Sequence, residues 1–491
     1  MGAEMSDIAL SSAEKRPFRL TEDGSSVVVG LLFFALALAG VVGLDLLGWA
    51  ATTAVWVDPA KALSAVSKSY AELNGALALG ATFLALLATL SAAVWATGGD
   101  VKRFALAFVI VFAIAYASWF IGSYAHLAAV TPADYAKFGI DWSLKLTNEG
   151  GFVVALVAGL VIANLFPKFA EWLKEAIRPE LYIKIAIVIL GGFVAATAAS
   201  KLTLASSLLL RGVAAIIEAY LIYWAVVYFV ARKYFGFSRE WAAPLASGIS
   251  ICGVSAAIAT GGAIRARPQI PVIVSSLVVI FAVVEVLVLP FFAQTFLSHE
   301  PLVAAAWLGL AVKTDGAAIA AGGIAEGLLL SQAAAEGVKY EAGWILSTTT
   351  TVKVFIDVFI GIWAFVLAYI WTNHIDREKG EKAKLSEIWE RFPKFILGFI
   401  VTFAIVLALA LGGGLTQRLT PALAEANTFR VIFFILTFFS IGVLSNFRKL
   451  WDDGVARLAA VYLVSLFGFV IWVGLLISWI FFAGVKPPLA G

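Results

Sequence analysis

Six charged residues lie inside stretches of the sequence that are otherwise apolar. They are Glu218, Glu285, Lys313, Asp315, Lys353 and Asp357. A charge at the centre of a membrane helix costs about 2.5–3.5 kcal/mol on insertion scales, so such residues are rarely kept without a use. The chemistry open to lysines and carboxylates at that depth is binding of an ion or transfer of a proton.

Lys313 is the strongest candidate for a binding residue. It stands two positions before Asp315, which either neutralises it or binds a proton or sodium ion itself. A lysine beside the start of a helix can hold an anion, because backbone N–H groups and the helix dipole favour negative charge there. The alternative is a lysine whose ammonium reaches the membrane surface or pairs with Asp315.

The other four charges allow two interpretations each. Lys353 and Asp357 are spaced i, i+4 and can form a self-contained ion pair, or Lys353 can add its charge to the same site as Lys313. Glu218 and Glu285 have no cation within one helical turn, and a lone carboxylate in hydrocarbon favours its neutral form. Both are therefore candidates for a proton relay or for neutral acids that bridge two helices.

A run of small residues supplies the second half of the candidate site. Residues 247–263 read SGISICGVSAAIATGGA, and SAAIATGG at 255–262 is echoed by GAAIAAGG at 316–323. Small residues mark close packing in membranes, and paired interrupted segments point to a transporter site. The predicted binding residues are Ser250, Cys252, Gly253, Ser255, Lys313, Thr314, Gly316 and Lys353, with Asp315, Glu218, Glu285 and Asp357 for a coupling ion or proton.

The elements that position these residues must be membrane helices. Of 491 residues, 62% are hydrophobic and 14% are charged, whereas soluble domains are about 45–50% apolar. A spanning helix needs about 20 apolar residues. This predicts about thirteen segments, near 26–48, 73–96, 104–129, 150–166, 183–200, 212–230, 241–263, 270–297, 302–324, 342–372, 395–415, 429–446 and 458–484.

The distribution of Lys and Arg predicts the orientation. Lys and Arg are more numerous in the loops that lie on the same side of the membrane as the N-terminus, above all in the loop at 373–394. Because Lys and Arg mark the cytoplasmic side, this predicts that the N-terminus is in the cytoplasm. Residues 1–100 are predicted as an N-terminal extension with two extra helices, and 101–491 as the core. Thirteen full spans would make 241–263 and 302–324 run in the same direction. Opposite directions would be expected of two paired segments of a transporter site. Either one of them is a re-entrant or half-spanning segment, or the echo is only compositional and the second interrupted helix of the site lies near 439–450.

Several classes of function are disfavoured. The net charge of +3 is spread over short loops, which argues against nucleic-acid binding. The single cysteine excludes an internal disulfide, and the three histidines match no metal-ligand spacing. Gly248 and Gly253 give G-x4-G, but no Lys follows as a nucleotide loop requires. We expect no enzyme and no cofactor beyond a coupling ion; a homodimer stays open.

Four stretches resemble the YeiH-type sulfate exporter family over roughly residues 105–485. They are GLVIANLFP (159–167), GISICGVSAAIAT (248–260), TTTVKVFID (349–357) and IGVLSNFRKL (441–450), together with the acidic residue of IIE (216–218). The family is grouped with sodium/proton antiporters and bile-acid-type symporters. The resemblance implies an inverted-repeat fold with two crossing, broken helices.

One departure from the family bears on the substrate. Where relatives carry a V-H-E run, this chain has Val312, Lys313 and Thr314. We therefore expect a secondary active transporter of a small anion, such as sulfate, sulfite or a sulfonate, in the cytoplasmic membrane. The alternative is a sodium or proton/cation antiporter that uses Asp315 and Glu218.

Overall fold

The structure is a computed structural model that describes residues 20–129, 132–144, 150–200, 202–267, 269–375, 393–412, 416–446 and 456–490. The loop that gave the strongest orientation signal, 373–394, lies largely outside these residues, as does the end of the stretch 441–450. The prediction of an all-α polytopic membrane protein is confirmed, since the described chain is helical apart from one two-stranded hairpin.

The first part of the chain forms eight helices and one small sheet. The helices are α1 (Glu22–Leu38), α2 (Gly75–Thr97), α3 (Val101–Gly122), α4 (Ala125–Ala128), α5 (Pro132–Phe138), α6 (Gly150–Leu165), α7 (Pro167–Leu173) and α8 (Pro179–Ser200). Strands β1 (Ala51–Thr53) and β2 (Leu63–Ala65) pair antiparallel between α1 and α2. α7 bends away from α6 by 118°.

The second part carries the candidate site. Its helices are α9 (Leu202–Ile216), α10 (Trp224–Lys233), α11 (Arg239–Ser250), α12 (Val254–Ala263), α13 (Gln269–Leu297), α14 (Pro301–Ala311), α15 (Asp315–Ala335), α16 (Trp344–Val358), α17 (Ile360–Ile370), α18 (Lys394–Leu411), α19 (Thr416–Leu444), α20 (Ala456–Ser465) and α21 (Ile471–Phe482). π-Helical turns at Ile217–Tyr223 and Leu466–Val470 join α9 to α10 and α20 to α21.

α11 and α12 fold back on each other as a hairpin, here called hairpin A. The hydroxyls of Ser247 and Thr260 are 2.6 Å apart, and the backbone N–H of Arg267 donates to Glu240 at 2.7 Å. A straight helix would separate positions 247 and 260 by about 20 Å. The turn at the tip is Ile251–Gly253, where Gly253 has a φ of +73° that favours glycine.

α14 and α15 form a second hairpin, hairpin B, with its tip at Val312–Thr314. The Thr349 hydroxyl donates to the carbonyl of Ala305 on α14 at 2.8 Å, and a Cβ on Gly322 of α15 would lie 2.8 Å from that hydroxyl oxygen. The two arms therefore lie side by side. Near the open end, His299 and Glu336 approach to 3.8 Å.

The two hairpins enter the molecule from opposite ends. α13 connects them, and its 29 residues extend about 43 Å, enough to cross a membrane. Hairpin A opens beside the first residue of α13 and hairpin B beyond its last. Both tips nevertheless meet, because the Lys353 ammonium on α16 bonds to carbonyls of both.

This arrangement explains the difficulty with direction found in the sequence. By length and composition, eleven described helical segments could cross a membrane, or twelve if the bent pair α6–α7 counts as one; the eleven include α15, which is an arm of hairpin B. The segments predicted at 241–263 and 302–324 are interrupted, as expected, but they return to the side from which they enter. Two hairpins that do not cross leave the order of the later helices unchanged. The orientation stays a prediction, and it changes only in the sides of Arg265, Arg267 and the loop at 298–300.

The stretch near 439–450 is not the second crossing helix. Its described part belongs to α19, which runs parallel to α6 in close contact. Gly159 and Gly442 let the two backbones approach, and the amides of Asn164 and Asn446 donate to carbonyls across the contact at 3.0 and 2.8 Å. The described parts of the resemblance motifs at 159–167 and 441–450 thus form one packing interface.

Candidate functional site

The site lies where the two hairpin tips meet, and Lys353 is its centre. The ammonium donates to the carbonyls of Ile251 in tip A at 2.9 Å and of Val312 and Lys313 in tip B at 3.3 and 3.0 Å. Unwound tips leave carbonyls without helical partners, and a buried ammonium satisfies them. We call the tips and the side chains around Lys353 the crossing centre.

Two carboxylates and the cysteine share the crossing centre with Lys353. Sγ of Cys252 and one carboxylate oxygen each of Asp315 and Asp357 all lie within 4.8 Å of one another. Lys353 forms its ion pair with Asp315, at 3.9 Å, rather than the i, i+4 pair with Asp357 that the sequence allows. Oδ1 of each aspartate is buried and accepts no hydrogen bond from a described residue.

Tip B also presents the start of α15. Thr314 is the N-cap residue, and its hydroxyl accepts a hydrogen bond from the backbone N–H of Ala317 at 3.3 Å. Asp315 occupies the first turn, where the helix dipole favours negative charge. Gly316 packs against Ile183, so its role is close contact with a neighbouring helix.

The carbonyl of Lys313 belongs to the crossing centre, but its ammonium makes other contacts, and the prediction that both lysine charges meet one ligand stays a prediction. The Lys313 ammonium donates to the carbonyl of Leu310 and lies 4.6 Å from the centre of the Tyr223 ring. The physical reason is the turn at tip B, where the Lys313 carbonyl faces Lys353 and the side chain leaves on the other side. Neither is Lys313 neutralised by Asp315, which pairs with Lys353.

The two glutamates lie on the Lys313 side of tip B. Glu285 accepts a hydrogen bond from the backbone N–H of Lys313 at 2.9 Å and another from the Tyr462 hydroxyl at 2.8 Å. Glu218 is fully buried, and neither of its oxygens accepts a hydrogen bond from a described residue. We call Glu218, Glu285, Lys313, Tyr223 and Tyr462 the second polar cluster.

The remaining predicted residues lie in or beside tip A. Ser250 and Cys252 are buried, and the Ser250 hydroxyl has no hydrogen-bond partner among the described residues. Gly253 leaves no room for a side chain, because a Cβ there would lie 2.8 Å from Val278. The side chain of Ser255 lies outside the described residues.

Sequence reasoning missed the aromatic residues of the second polar cluster. Tyr223 and Tyr462 stand in apolar runs that are typical of any membrane helix, so their composition gives no signal. Gly474, which lies against the Tyr223 hydroxyl, is equally inconspicuous. The π-helical turns have no sequence signature that a periodicity analysis would detect.

These features define a polytopic α-helical membrane protein with charged residues buried where two helical hairpins meet. The chain belongs to the family described as conserved hypothetical protein 698, whose model matches residues 107–461. This confirms the resemblance to the YeiH-type family.

Several known proteins are similar to this chain. The UPF0324 membrane protein NE0724 of Nitrosomonas europaea is 41% identical over 478 residues, which is 96% of this chain and 97% of the relative. The UPF0324 membrane protein RB9488 of Rhodopirellula baltica is 29% identical over 80% of this chain and 64% of its own length. An uncharacterized protein of Archaeoglobus fulgidus is 48% identical over 29% of this chain and 88% of its own. No solved structure matches the chain.

Proposed function

We propose that this protein is a secondary active transporter whose substrate passes through the crossing centre. The supporting observation is that two helical hairpins from opposite ends of α13 place unwound tips against one buried ammonium. Unwound backbone at membrane depth occurs only inside protein or around a cavity, and broken helices near the midplane are typical of transporter sites. We further propose that the chain contains an inverted repeat, in which hairpin A and hairpin B are the equivalent elements of the two halves.

The proposed substrate is a small anion, namely sulfate, sulfite or a sulfonate. Lys353 supplies a buried positive charge, and tip B ends at the start of α15 with the Thr314 hydroxyl. Ser250, beside tip A, adds a buried hydroxyl that has no hydrogen-bond partner among the described residues. An oxyanion can replace the carbonyls as the acceptor for Lys353, because charge-assisted hydrogen bonds to an anion are the stronger ones.

We call the arrangement in which Lys353 bonds to both tips the closed structure, and it supports a mechanism for alternating access. Lys353 bonds to both tips at once, so opening towards either side must break its bonds to one of them. An anion bound by Lys353 competes with those carbonyls and lowers the cost of separation. Movement of one bundle against the other would then expose the crossing centre to one side at a time.

A second candidate, a sodium or proton/cation antiporter, is favoured by the excess of acidic groups. The two clusters together hold four carboxyl groups and two ammonium groups, all buried. Such an excess is satisfied by protons or cations, and Asp315 and Glu218 are the groups that would bind them. Under this alternative, Lys353 is the counter-charge that the cation displaces.

The proposed setting is the cytoplasmic membrane, with the N-terminus in the cytoplasm. Near the start of α1, Asp23 lies 3.5 Å from Lys184 and Glu22 lies 3.9 Å from Arg178. Because hairpin A returns to this side, Arg265 and Arg267 add to its positive charge. An excess of Lys and Arg marks the cytoplasmic side.

Counterflow in proteoliposomes tests the transporter proposal. Labelled sulfate should enter vesicles preloaded with unlabelled sulfate, and Lys353→Met should abolish that entry. The matched control is Lys339→Met, an exposed lysine outside both clusters. If sulfate, sulfite and methanesulfonate all fail to exchange while a sodium or proton gradient drives cation exchange, the antiporter is correct and the anion proposal is wrong.

A further inference from the structure

The second polar cluster is built around two π-helical turns that face each other. One is Ile217–Tyr223, which carries Glu218, and the other is Leu466–Val470. The Tyr223 hydroxyl donates to the carbonyl of Val470 at 2.7 Å, across the contact between the turns. π-Helical turns are rare and are found frequently at functional sites.

The hydrogen bonds around Glu218 indicate that it holds a proton. Neither carboxylate oxygen accepts a hydrogen bond from a described residue, although the side chain is fully buried. The Tyr223 hydroxyl lies beside Glu218, but it donates its one proton to the carbonyl of Val470 at 2.7 Å, so it can meet Glu218 only as a hydrogen-bond acceptor. Glu285 in the same cluster accepts two hydrogen bonds, as an ionised carboxylate requires. An ionised carboxylate buried without donors is too costly to persist, whereas the neutral acid is tolerated.

Lys313 is the cation that faces Glu218. Its ammonium currently donates to the carbonyl of Leu310 and lies over the Tyr223 ring, within electrostatic reach of Glu218. Gly474 on α21 lets the Tyr223 hydroxyl and the Glu218 carboxyl lie side by side against α21, because a Cβ there would lie 2.6 Å from the hydroxyl and 3.3 Å from Oε1 of Glu218. The titratable groups around Glu218 are thus Lys313, Tyr223 and, through the Lys313 backbone, Glu285.

We propose that Glu218 is a proton-binding site whose proton is exchanged for an ion pair with Lys313. In the closed structure the acid is neutral and Lys313 bonds to Leu310. When tip B moves, the ammonium approaches Glu218, the O–H bond of the acid breaks, and the proton passes to water while the carboxylate pairs with Lys313. The lysine keeps all three of its protons. The exchange step rests on the proposed function, since it requires tip B to move, but the proton on Glu218 in the closed structure does not.

Infrared spectroscopy of the purified protein tests this directly. A neutral carboxylic acid has a C=O stretching band that shifts when H₂O is replaced by D₂O. Glu218→Gln should remove one such band from the wild-type spectrum, and the matched variant Glu285→Gln should leave that band in place. The proposal is wrong if Glu218→Gln removes no acid band, or if Glu285→Gln removes that band instead. Circular dichroism and a single gel-filtration peak confirm that each variant is folded.

Proton movement in vesicles separates this inference from the proposed function. A pH-sensitive dye inside proteoliposomes reports proton movement while labelled sulfate enters. Sulfate entry should move protons in the wild type, and Glu218→Gln should reduce the number of protons moved per sulfate. Substrate flux that moves as many protons in Glu218→Gln as in the wild type would overturn the exchange step but leave the transporter intact. An acid band on Glu218 without flux of any substrate would overturn the transporter and leave the proton site intact.

Discussion

Lys353 has its charge fully engaged in the closed structure. Three carbonyls from two hairpin tips accept its hydrogen bonds, and Asp315 lies 3.9 Å away. Two of the accepting segments follow the C-terminal ends of α11 and α14, where the helix dipole is negative. Lys353 therefore stabilises the contact between the hairpins, and under the proposed function a substrate anion must compete for that charge.

Removing this ammonium should destabilise the protein. Lys353→Met leaves three buried carbonyls without a donor, and each lost partner costs about 1–3 kcal/mol. We expect a clear fall in the unfolding temperature in detergent, measured by intrinsic fluorescence. Lys339→Met, at an exposed position, should unfold with the wild type. Equal unfolding temperatures for the two variants would show that Lys353 does not join the hairpins.

Ligand binding should stabilise the wild type. A ligand that binds the native state increases the free energy of unfolding by mass action, by about 2.7 kcal/mol at one hundred times its Kd. The unfolding temperature rises as a result. We expect sulfate, sulfite or methanesulfonate to do so, and chloride at equal ionic strength to have little effect. Stabilisation by sodium alone would favour the antiporter.

The sequence predicted the buried charges but not their partners. Lys313, Asp315 and Lys353 are recognisable because a charge in an apolar run is rare. Which lysine meets which carboxylate depends on the turn at tip B, and the spacing of two residues between Lys313 and Asp315 does not specify that turn. The role of Lys353 as the common donor to both tips is set by α16, a separate element.

At the scale of elements, hydropathy alone cannot distinguish a helical hairpin from a single membrane-spanning helix. α11 and α12 with their turn contain as many residues as one membrane crossing, so an apolar window sees a single span. The small residues and Gly253 indicated an interruption, which is confirmed. Its reversal of direction follows from contacts such as Ser247 with Thr260, which lie thirteen positions apart.

A glycine in tip A should be essential for a steric reason. Gly253→Ala places a Cβ 2.8 Å from Val278 and 3.1 Å from Thr314, besides the strain of a positive φ, which costs roughly 1–2 kcal/mol. Gly337→Ala also places a side chain at a positive φ, here +84°, but nothing lies within 4 Å of its Cβ. We expect Gly253→Ala to lower the unfolding temperature and flux far more than Gly337→Ala; equal losses would contradict the packed tips.

A disulfide across hairpin A tests its fold. In a Cys252→Ser background, Ser247→Cys combined with Thr260→Cys should form a bridge under mild oxidation, because the two hydroxyls are 2.6 Å apart. The bridge can be detected as protection of both thiols from a maleimide reagent, with each single variant as its control. A straight helix would leave both thiols free, since it separates them by about 20 Å.

At the scale of the whole molecule, the two opposed hairpins are surrounded by helices that are long enough to span a membrane. α1, predicted as part of an extension, packs against α8, α18 and α19, with Phe33 stacked on Phe429 at 4.4 Å. The class of fold and most helices follow from hydropathy. The pairing of hairpins depends on contacts between residues far apart in sequence, such as Lys353 with Ile251, which a single sequence does not encode locally.

The account depends most on the hairpins opening towards opposite sides of the membrane. Single cysteines at Glu240, Arg267, His299 and Glu336, each in a Cys252→Ser background, can be labelled from either face of sealed vesicles with a membrane-impermeant maleimide. We predict that the first two label from one face and the last two from the other. Labelling of Glu240→Cys and Arg267→Cys from different faces would show that 241–263 crosses the membrane, and would contradict the crossing centre.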